Sequence, residues 1–315
     1  MITFSLLVLG LLGLWLGSEL TVKGAVGMAR RLGLSNAFIG MTVVSLCTNL
    51  PELMISITGA FQQAAGAEVS GLVIGNVVGS NMSQATLILG LAGLLAIIRV
   101  KKQEIIKIGL MLVLSSLLLL VLAQDGFISR TDGLLLLFSY IFFLFTIKPK
   151  SHRSQIRAKF LKLFSKKSWE NMVKLVLGIV ITLGASVLVV NSAVDFAQML
   201  GVNQLLVGLF LVGVGTSLPE LAVSLLAVRK KAAGISVGNI VGSNIIGALL
   251  ALGSSALVGG WQVDYKVARF DLPFMLLVSV VLVLFLLTKK RLDRKESILL
   301  ILLYGVYASL KLLHF

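Results

Sequence analysis

Ten apolar stretches, separated by short polar gaps, constrain this chain more than any other feature of its sequence. A hydrocarbon core of ~30 Å is crossed by roughly 20 apolar residues in a helix. The stretches run at about 2–20, 36–61, 69–97, 105–123, 132–148, 172–199, 203–228, 234–259, 271–288 and 296–313. They use nearly all of the 315 residues, 57% of which are hydrophobic. Only 13% are charged, about half of what a water-facing surface requires. The expected fold class is an all-α polytopic membrane protein with ten transmembrane helices.

The net charge of +15 does not indicate nucleic-acid binding, because the basic residues occupy gaps between apolar runs rather than an amphipathic face or an aromatic sheet. Their placement gives an orientation instead. Taking the first gap as cytoplasmic, the odd-numbered gaps hold 24 of the 28 Lys and Arg residues, and cytoplasmic loops carry that excess. Only Arg130, Lys266, Arg269 and Lys311 fall on the other side. Both termini are then outside. The longest polar segment, 149–171, is a basic cytoplasmic linker between a first unit (1–148) and a second (172–315). At ~20 residues it is too short for a folded sensing domain, and its charge suits anionic membrane lipid. Ile2 to Leu16 lacks a basic segment before it and a small-residue cleavage site after it, so it reads as a retained first helix. The single cysteine, Cys47, excludes an intrachain disulfide or a Cys-rich metal site. No protein partner is implied.

The chain repeats itself. Gly71-Leu-Val-Ile-Gly-Asn-Val-Val-Gly-Ser-Asn81 recurs as Gly234-Ile-Ser-Val-Gly-Asn-Ile-Val-Gly-Ser-Asn244, identical at seven of eleven positions. Upstream, Thr48-Asn-Leu-Pro-Glu52 recurs as Thr216-Ser-Leu-Pro-Glu220. The first copy is five residues longer between the two motifs, which places an insertion around Gln62 to Val69. Each half holds five spans. Five is odd, so the second half enters the membrane from the opposite side, giving two inverted five-helix repeats. Secondary transporters built this way place their substrate near the midplane, at the repeat interface.

The repeated residues suit a cation. Glu52 and Glu220 lie deep within apolar spans, where a carboxylate costs a few kcal/mol, and neither span offers a Lys, Arg or His nearby. A bound cation or a proton is the remaining compensation. Pro51 and Pro219 each remove a backbone donor and clash with the carbonyl four residues earlier. That loosens carbonyls around Cys47/Thr48 and Gly215/Thr216, and carboxylates, hydroxyls and free carbonyls are the ligands of hard cations. Gly71, Gly75 and Gly79, like Gly234, Gly238 and Gly242, are spaced by four and let helix backbones approach closely. Within the same segments, Asn76, Ser80 and Asn81, with Asn239, Ser243 and Asn244, are candidates to line the pocket.

These motifs, Gly215-Thr-Ser-Leu-Pro-Glu220 followed by Gly238-Asn-Ile-Val-Gly-Ser-Asn244 with their first-half copies, resemble the α-repeats of the cation/calcium antiporter superfamily, especially its prokaryotic sodium/calcium exchanger branch. The resemblance covers essentially the whole chain. It implies exchange of Ca²⁺ against Na⁺ by alternating access in a prokaryotic plasma membrane, without a cofactor, the ions held between the second, third, seventh and eighth helices. On this resemblance Glu52 and Glu220 are the central Ca²⁺ ligands, flanked by carbonyls of Thr48 and Thr216. Secondary Na⁺ sites draw on Ser45, Asn49, Ser80, Gly213, Ser217 and Ser243. The chain departs from the pattern at Asn49, where Ser is usual, and at Cys47, which replaces the glycine found at Gly215. Gln84 and Gly247 stand where the sodium-coupled branch carries Asn or Asp, so the pocket is expected to hold two carboxylates only.

Proton-coupled Ca²⁺ exchange, or the same fold carrying Mg²⁺ or Mn²⁺, are the alternatives. A channel fits inverted repeats with buried carboxylates less well. An intramembrane enzyme is disfavoured: the histidines are His152 and His314, and no His-Glu-x-x-His motif or Ser-His pairing is assembled.

Overall fold

The computed structural model describes residues 2–31, 44–95, 97–99, 102–146, 166–229, 233–289 and 291–313. Helix α1 spans Ile2–Arg31. Next come α2 (Ser45–Thr48) and α3 (Leu50–Ala64), separated by a turn at Asn49. Helices α4 (Ser70–Ser83) and α5 (Leu89–Leu95) are joined by a π-helical stretch, Gln84–Ile88. Helices α6 (Lys102–Leu122) and α7 (Arg130–Thr146) complete the first half.

The second half opens with α8 (Lys166–Leu200). Helices α9 (Gln204–Leu206), α10 (Gly213–Thr216) and α11 (Leu218–Arg229) follow, with π-helical Val207–Val212 between the first two and a turn at Ser217 between the last two. Helices α12 (Ala233–Ile245) and α13 (Leu252–Gly259) flank π-helical Ile246–Ala251. A π-helical turn, Val267–Asp271, leads into α14 (Leu272–Lys289), and α15 (Arg294–Leu313) closes the fold.

Seven helices among the described residues are long and apolar enough to cross a membrane. The other three expected spans fall on shorter or interrupted helices, whose apolar parts do not reach that length among the described residues. Of the second, residues 36–43 lie outside the described residues, and the rest is broken at Asn49. The apolar part of α6 is Ile106–Leu122, and α7 has 17 residues, about 26 Å at 1.5 Å per residue. The bundle is apolar outside, and its interior combines an apolar core with buried polar groups. Phe138 and Phe142 are more than 60% exposed, a pattern that faces lipid rather than water, whereas the interior buries serines, asparagines and both glutamates of the Pro-Glu motifs.

Four features depart from the sequence expectation. First, α1 runs past residue 20 and α8 begins at Lys166, inside the expected linker. The two helices pack along their length. Glycines allow this: a Cβ on Gly24 would lie 2.5 Å from the Asn171 carbonyl, and one on Gly13 2.9 Å from Ala185. A Glu19–Lys23 ion pair at 2.6 Å sustains α1 beyond its apolar stretch. Residues 149–165 of the linker lie outside the described residues.

Second, two short antiparallel ladders join the halves. β1 (Ile98–Arg99) pairs with β4 (Arg291–Leu292), and β2 (Phe127–Ile128) with β3 (Trp261–Gln262). Ile98 and Trp261 are 163 residues apart, the offset of the glycine-rich segments. Third, α7 and α15 start with the same capping box, in which a residue three places on reaches back to the N-cap amide. Ser129 N donates to Asp132 at 2.8 Å, and Asp293 N to Glu296 at 2.9 Å. Fourth, Lys311, placed above on the outer side, is 1% exposed and pairs with buried Asp271 at 2.5 Å. The Tyr307 hydroxyl donates to the other carboxylate oxygen at 2.8 Å.

Candidate functional site

Each Pro-Glu motif sits just after a helix break. The chain turns at Asn49 and at Ser217, so Pro51 and Pro219 fall in the first turn of α3 and α11. There a missing N–H costs nothing, because the first-turn donors of a helix have no partner in the helix. The expected loose carbonyl at Cys47 is in fact occupied: the Ser18 hydroxyl of α1 donates to it at 3.0 Å.

The breaks are brought together by backbone approach between the halves. The stripe of Gly71, Gly75 and Gly79 lies on residues 205–209. A Cβ on Gly75 would lie 2.6 Å from the Leu205 carbonyl, and one on Gly79 would collide with the Leu209 backbone. Gly208 and Gly213 return the fit, against Leu72 and Ser80 respectively. Only residues without a side chain allow this approach, and it seats α10 and its break against the Asn76–Ser80 face of α4.

Glu52 and Glu220 are both fully buried, and they are close enough to act on each other electrostatically. The Thr216 and Ser217 hydroxyls, from the second break, bear on Glu52, and those of Thr48 and Ser243 bear on Glu220. Ser243 donates to Glu220 Oε1 at 3.5 Å, and Gln84 Nε2 donates to Glu52 Oε1 at 3.4 Å. The second oxygen, Oε2, of each glutamate has no hydrogen-bond partner. Among the described residues neither glutamate has an ion pair.

The remaining expected residues gather around this centre. Asn49 Nδ2 donates at 2.7 Å both to the Ser45 carbonyl and to Ser243 Oγ. Ser45 Oγ donates to Asn239 Oδ1 at 3.3 Å, and Thr216 Oγ1 to Asn76 Oδ1 at 3.2 Å, so each of these asparagines faces the other half's helix break. The Gly213 carbonyl accepts from Ser217 at 2.8 Å. Ser80 donates to Val77 of its own helix at 3.1 Å. Asn244 Nδ2 donates to Gln84 Oε1 at 3.0 Å, and Gln84 in turn donates to Ser217 at 3.2 Å.

Gly247 has a more specific part than a missing side chain. A Cβ there would lie 2.7 Å from Asn81 Oδ1, so the glycine makes room for that amide. Asn81 Oδ1 is itself buried without a partner, as are Asn49 Oδ1 and the Nδ2 atoms of Asn76 and Asn239. Of the ten such atoms among the described residues, nine lie on the segments 44–64, 70–95, 204–229 and 233–259. Buried polar groups are almost always satisfied within a protein, so this concentration marks a place built for something the protein itself does not supply.

Sequence reasoning missed several of the participants. Ser18 carries no motif and contributes only through packing of α1. Ser83 donates to Ser217 at 3.4 Å. Ser56 and Ser224, each buried with an unpartnered hydroxyl, follow their glutamates by four residues. The repeat, extended from Pro-Glu-Leu-Met-Ile-Ser56 to Pro-Glu-Leu-Ala-Val-Ser224, carried that signal.

Comparison with known proteins agrees with this architecture. A family model described as sodium/calcium exchanger protein matches residues 2–148 and 171–313. The sodium/calcium exchanger MaX1 of Methanosarcina acetivorans is 33% identical over 345 aligned positions, covering 97% of each chain. The inner membrane protein YrbG of Escherichia coli is 32% identical over 288, covering 89% of this chain and 87% of its own. In structure, the sodium-calcium exchanger NCX_Mj superposes with a TM-score of 0.70 at 30% identity, over 98% of this chain and 97% of the other. The fold is an all-helical polytopic membrane fold like that exchanger's. A match running through both halves and full-length relatives near one-third identity place the chain in the sodium/calcium exchanger family.

Proposed function

We propose that the protein is an antiporter exchanging Ca²⁺ for Na⁺ by alternating access across a prokaryotic plasma membrane. In this reading ten helices form two inverted five-helix repeats, 1–148 and 172–315, with both termini outside and the 149–171 linker cytoplasmic. The recurrence of ladder, capping box and glycine stripe at nearly constant offsets supports the repeat. The fractions of chain shared with MaX1 and NCX_Mj support the ions.

One observation carries the reading: two equivalent, fully buried glutamates, each with a free Oε2. Two carboxylates brought out of water repel, and each is costly without a partner. A divalent cation between them cancels both charges. Thr48, Thr216, Ser45, Ser80, Ser217, Ser243 and the Gly213 carbonyl then offer further oxygens, and a half-turn of the Asn76 or Asn239 amide would present its oxygen as well. Two monovalent cations neutralise the same site. Competition for one pair of carboxylates is a sufficient basis for exchange, provided that the empty, charged site reorients poorly. Asn81, Gln84 and Asn244 contribute amides and no charge, which keeps the site at −2.

The test is Ca²⁺ uptake by purified protein in vesicles under an imposed Na⁺ gradient or an imposed pH gradient. Uptake driven by outward Na⁺ is expected. Uptake driven by the pH gradient alone would replace Na⁺ with the proton, and no uptake under either would remove the exchange reading.

A further inference from the structure

Ser56 and Ser224 are fully buried, and neither hydroxyl has a partner. Several buried serines in neighbouring helices donate back to their own backbone, as Ser80 does to Val77, Ser255 to Ala251 and Ser279 to Met275. That bond is the ordinary refuge of a hydroxyl in an apolar helix. Among the described residues, one further fully buried serine hydroxyl lacks any partner, that of Ser236. Residues four apart share a helix face, so each of Ser56 and Ser224 lies one turn beyond a central glutamate, on the carboxylate's side.

The two lie on opposite sides of the centre. Helix α3 runs from the break at Asn49 toward a polar cavity of about 780 Å³ lined by Gln63, Ser70 and Gln204, among others. The α9–α11 segment starts at that cavity with Gln204 and ends at Arg229, away from it. Ser56 thus stands between Glu52 and the cavity, and Ser224 between Glu220 and the opposite face. Between Ser56 and the cavity, α3 packs closely against apolar side chains. A Cβ on Gly59 would collide with Val73 and lie 3.7 Å from both Val69 and Trp261. In the second half the places of Gly59 and Val73 are taken by Ala227 and Ser236, on helices packed together. The far side therefore carries a hydroxyl where the cavity side carries a valine.

We propose that Ser56 on one side, and Ser224 with Ser236 on the other, are way-stations for a partly hydrated cation passing between the central carboxylates and each face of the membrane, with Val73 closing the cavity side. This rests on the exchange reading. A hydroxyl is a neutral ligand for a hard cation, which suits a brief stop: it offsets part of the lost hydration without trapping the ion.

Two measurements test it. In a Cys47→Ala background, Ser56→Cys and Ser224→Cys are exposed to a small, membrane-impermeant cationic thiol reagent from one face at a time. Ser56→Cys is expected to react from the cavity face alone and Ser224→Cys from the other face alone. Reaction of both from the same face, or of neither, would overturn the proposal, and this readout needs no transport. In vesicles of one orientation, Ser56→Ala is expected to raise KM about five-fold for cation supplied at the cavity face and to leave the opposite KM unchanged. Ser224→Ala and Ser236→Ala are expected to do the reverse. Unchanged KM at both faces, in vesicles where the wild-type protein exchanges cations, would contradict the proposal while leaving the exchange reading standing.

Discussion

Asn81 and Asn244 hold the same place in two copies of one segment, 163 residues apart, and are bonded to each other: Asn81 Nδ2 donates to the Asn244 carbonyl at 3.2 Å. Ser116 and Ser279, also 163 apart, share a hydrogen bond at 3.0 Å. In the proposed inverted repeat, equivalent residues meet where the two-fold axis passes between them, and these two contacts are of that kind. Several outcomes are expected from that arrangement.

Glu52→Gln and Glu220→Gln each remove one of the two charges proposed to face a divalent ion. Ca²⁺ uptake in vesicles is expected to fall about 100-fold or more in either variant. Without Ca²⁺ the variants should melt at or above the wild-type temperature, because one unpaired buried charge has been relieved; a lower melting temperature would show that the carboxylates serve the fold.

Gly79→Val drives a side chain into the Leu209 backbone, which cannot swing aside as a side chain would. The loss in stability is expected to reach about 3 kcal/mol, read from thermal melting in detergent. Gly184, with nothing near its Cβ position, is the control: Gly184→Ala should be neutral or gain up to ~1 kcal/mol.

Gly247→Ala is expected to slow transport several-fold by displacing the Asn81 amide. Adding Asn81→Ala should restore much of the rate, with a coupling of about 1 kcal/mol between the two positions. Independent, additive effects in initial-rate measurements would mean that the 2.7 Å approach does not matter.

Asp271 and Lys311 form a buried pair remote in sequence from both Pro-Glu motifs. Asp271→Leu or Lys311→Met alone leaves a buried charge, and a loss of about 3–5 kcal/mol is expected. The double variant should recover most of it, with the KM for Ca²⁺ unchanged. A raised KM in the double variant would show that the pair reaches the cation path.

Much of this was legible in the sequence because it depends on short-range pattern. The apolar stretches, the break before each Pro-Glu and the glycine stripe all follow from residues close together in the chain. The gathering of Glu52, Asn76, Glu220 and Ser243 followed from the repeat, and that of Ser45, Asn49, Gln84 and Ser217 from the family resemblance. What stayed hidden depends on contacts between distant segments. The bond from Ser18 to Cys47 requires α1 to lie against the break, and nothing near Ser18 encodes that. Lys311 looked only like an outer-side cation because its partner Asp271 is 40 residues away. Gly247 looked like a lost ligand because the amide that fills its space belongs to the other half. The ladders have two residues per strand, too few to leave a periodic signal.

Equilibrium binding of radioactive Ca²⁺ to the purified protein tests the central claim, that Glu52 and Glu220 together hold the transported cation. Wild-type protein is expected to bind Ca²⁺ that added Na⁺ displaces, and Glu52→Gln and Glu220→Gln are each expected to lose that binding while remaining folded. Saturable, Na⁺-sensitive Ca²⁺ binding retained by both variants would contradict the account.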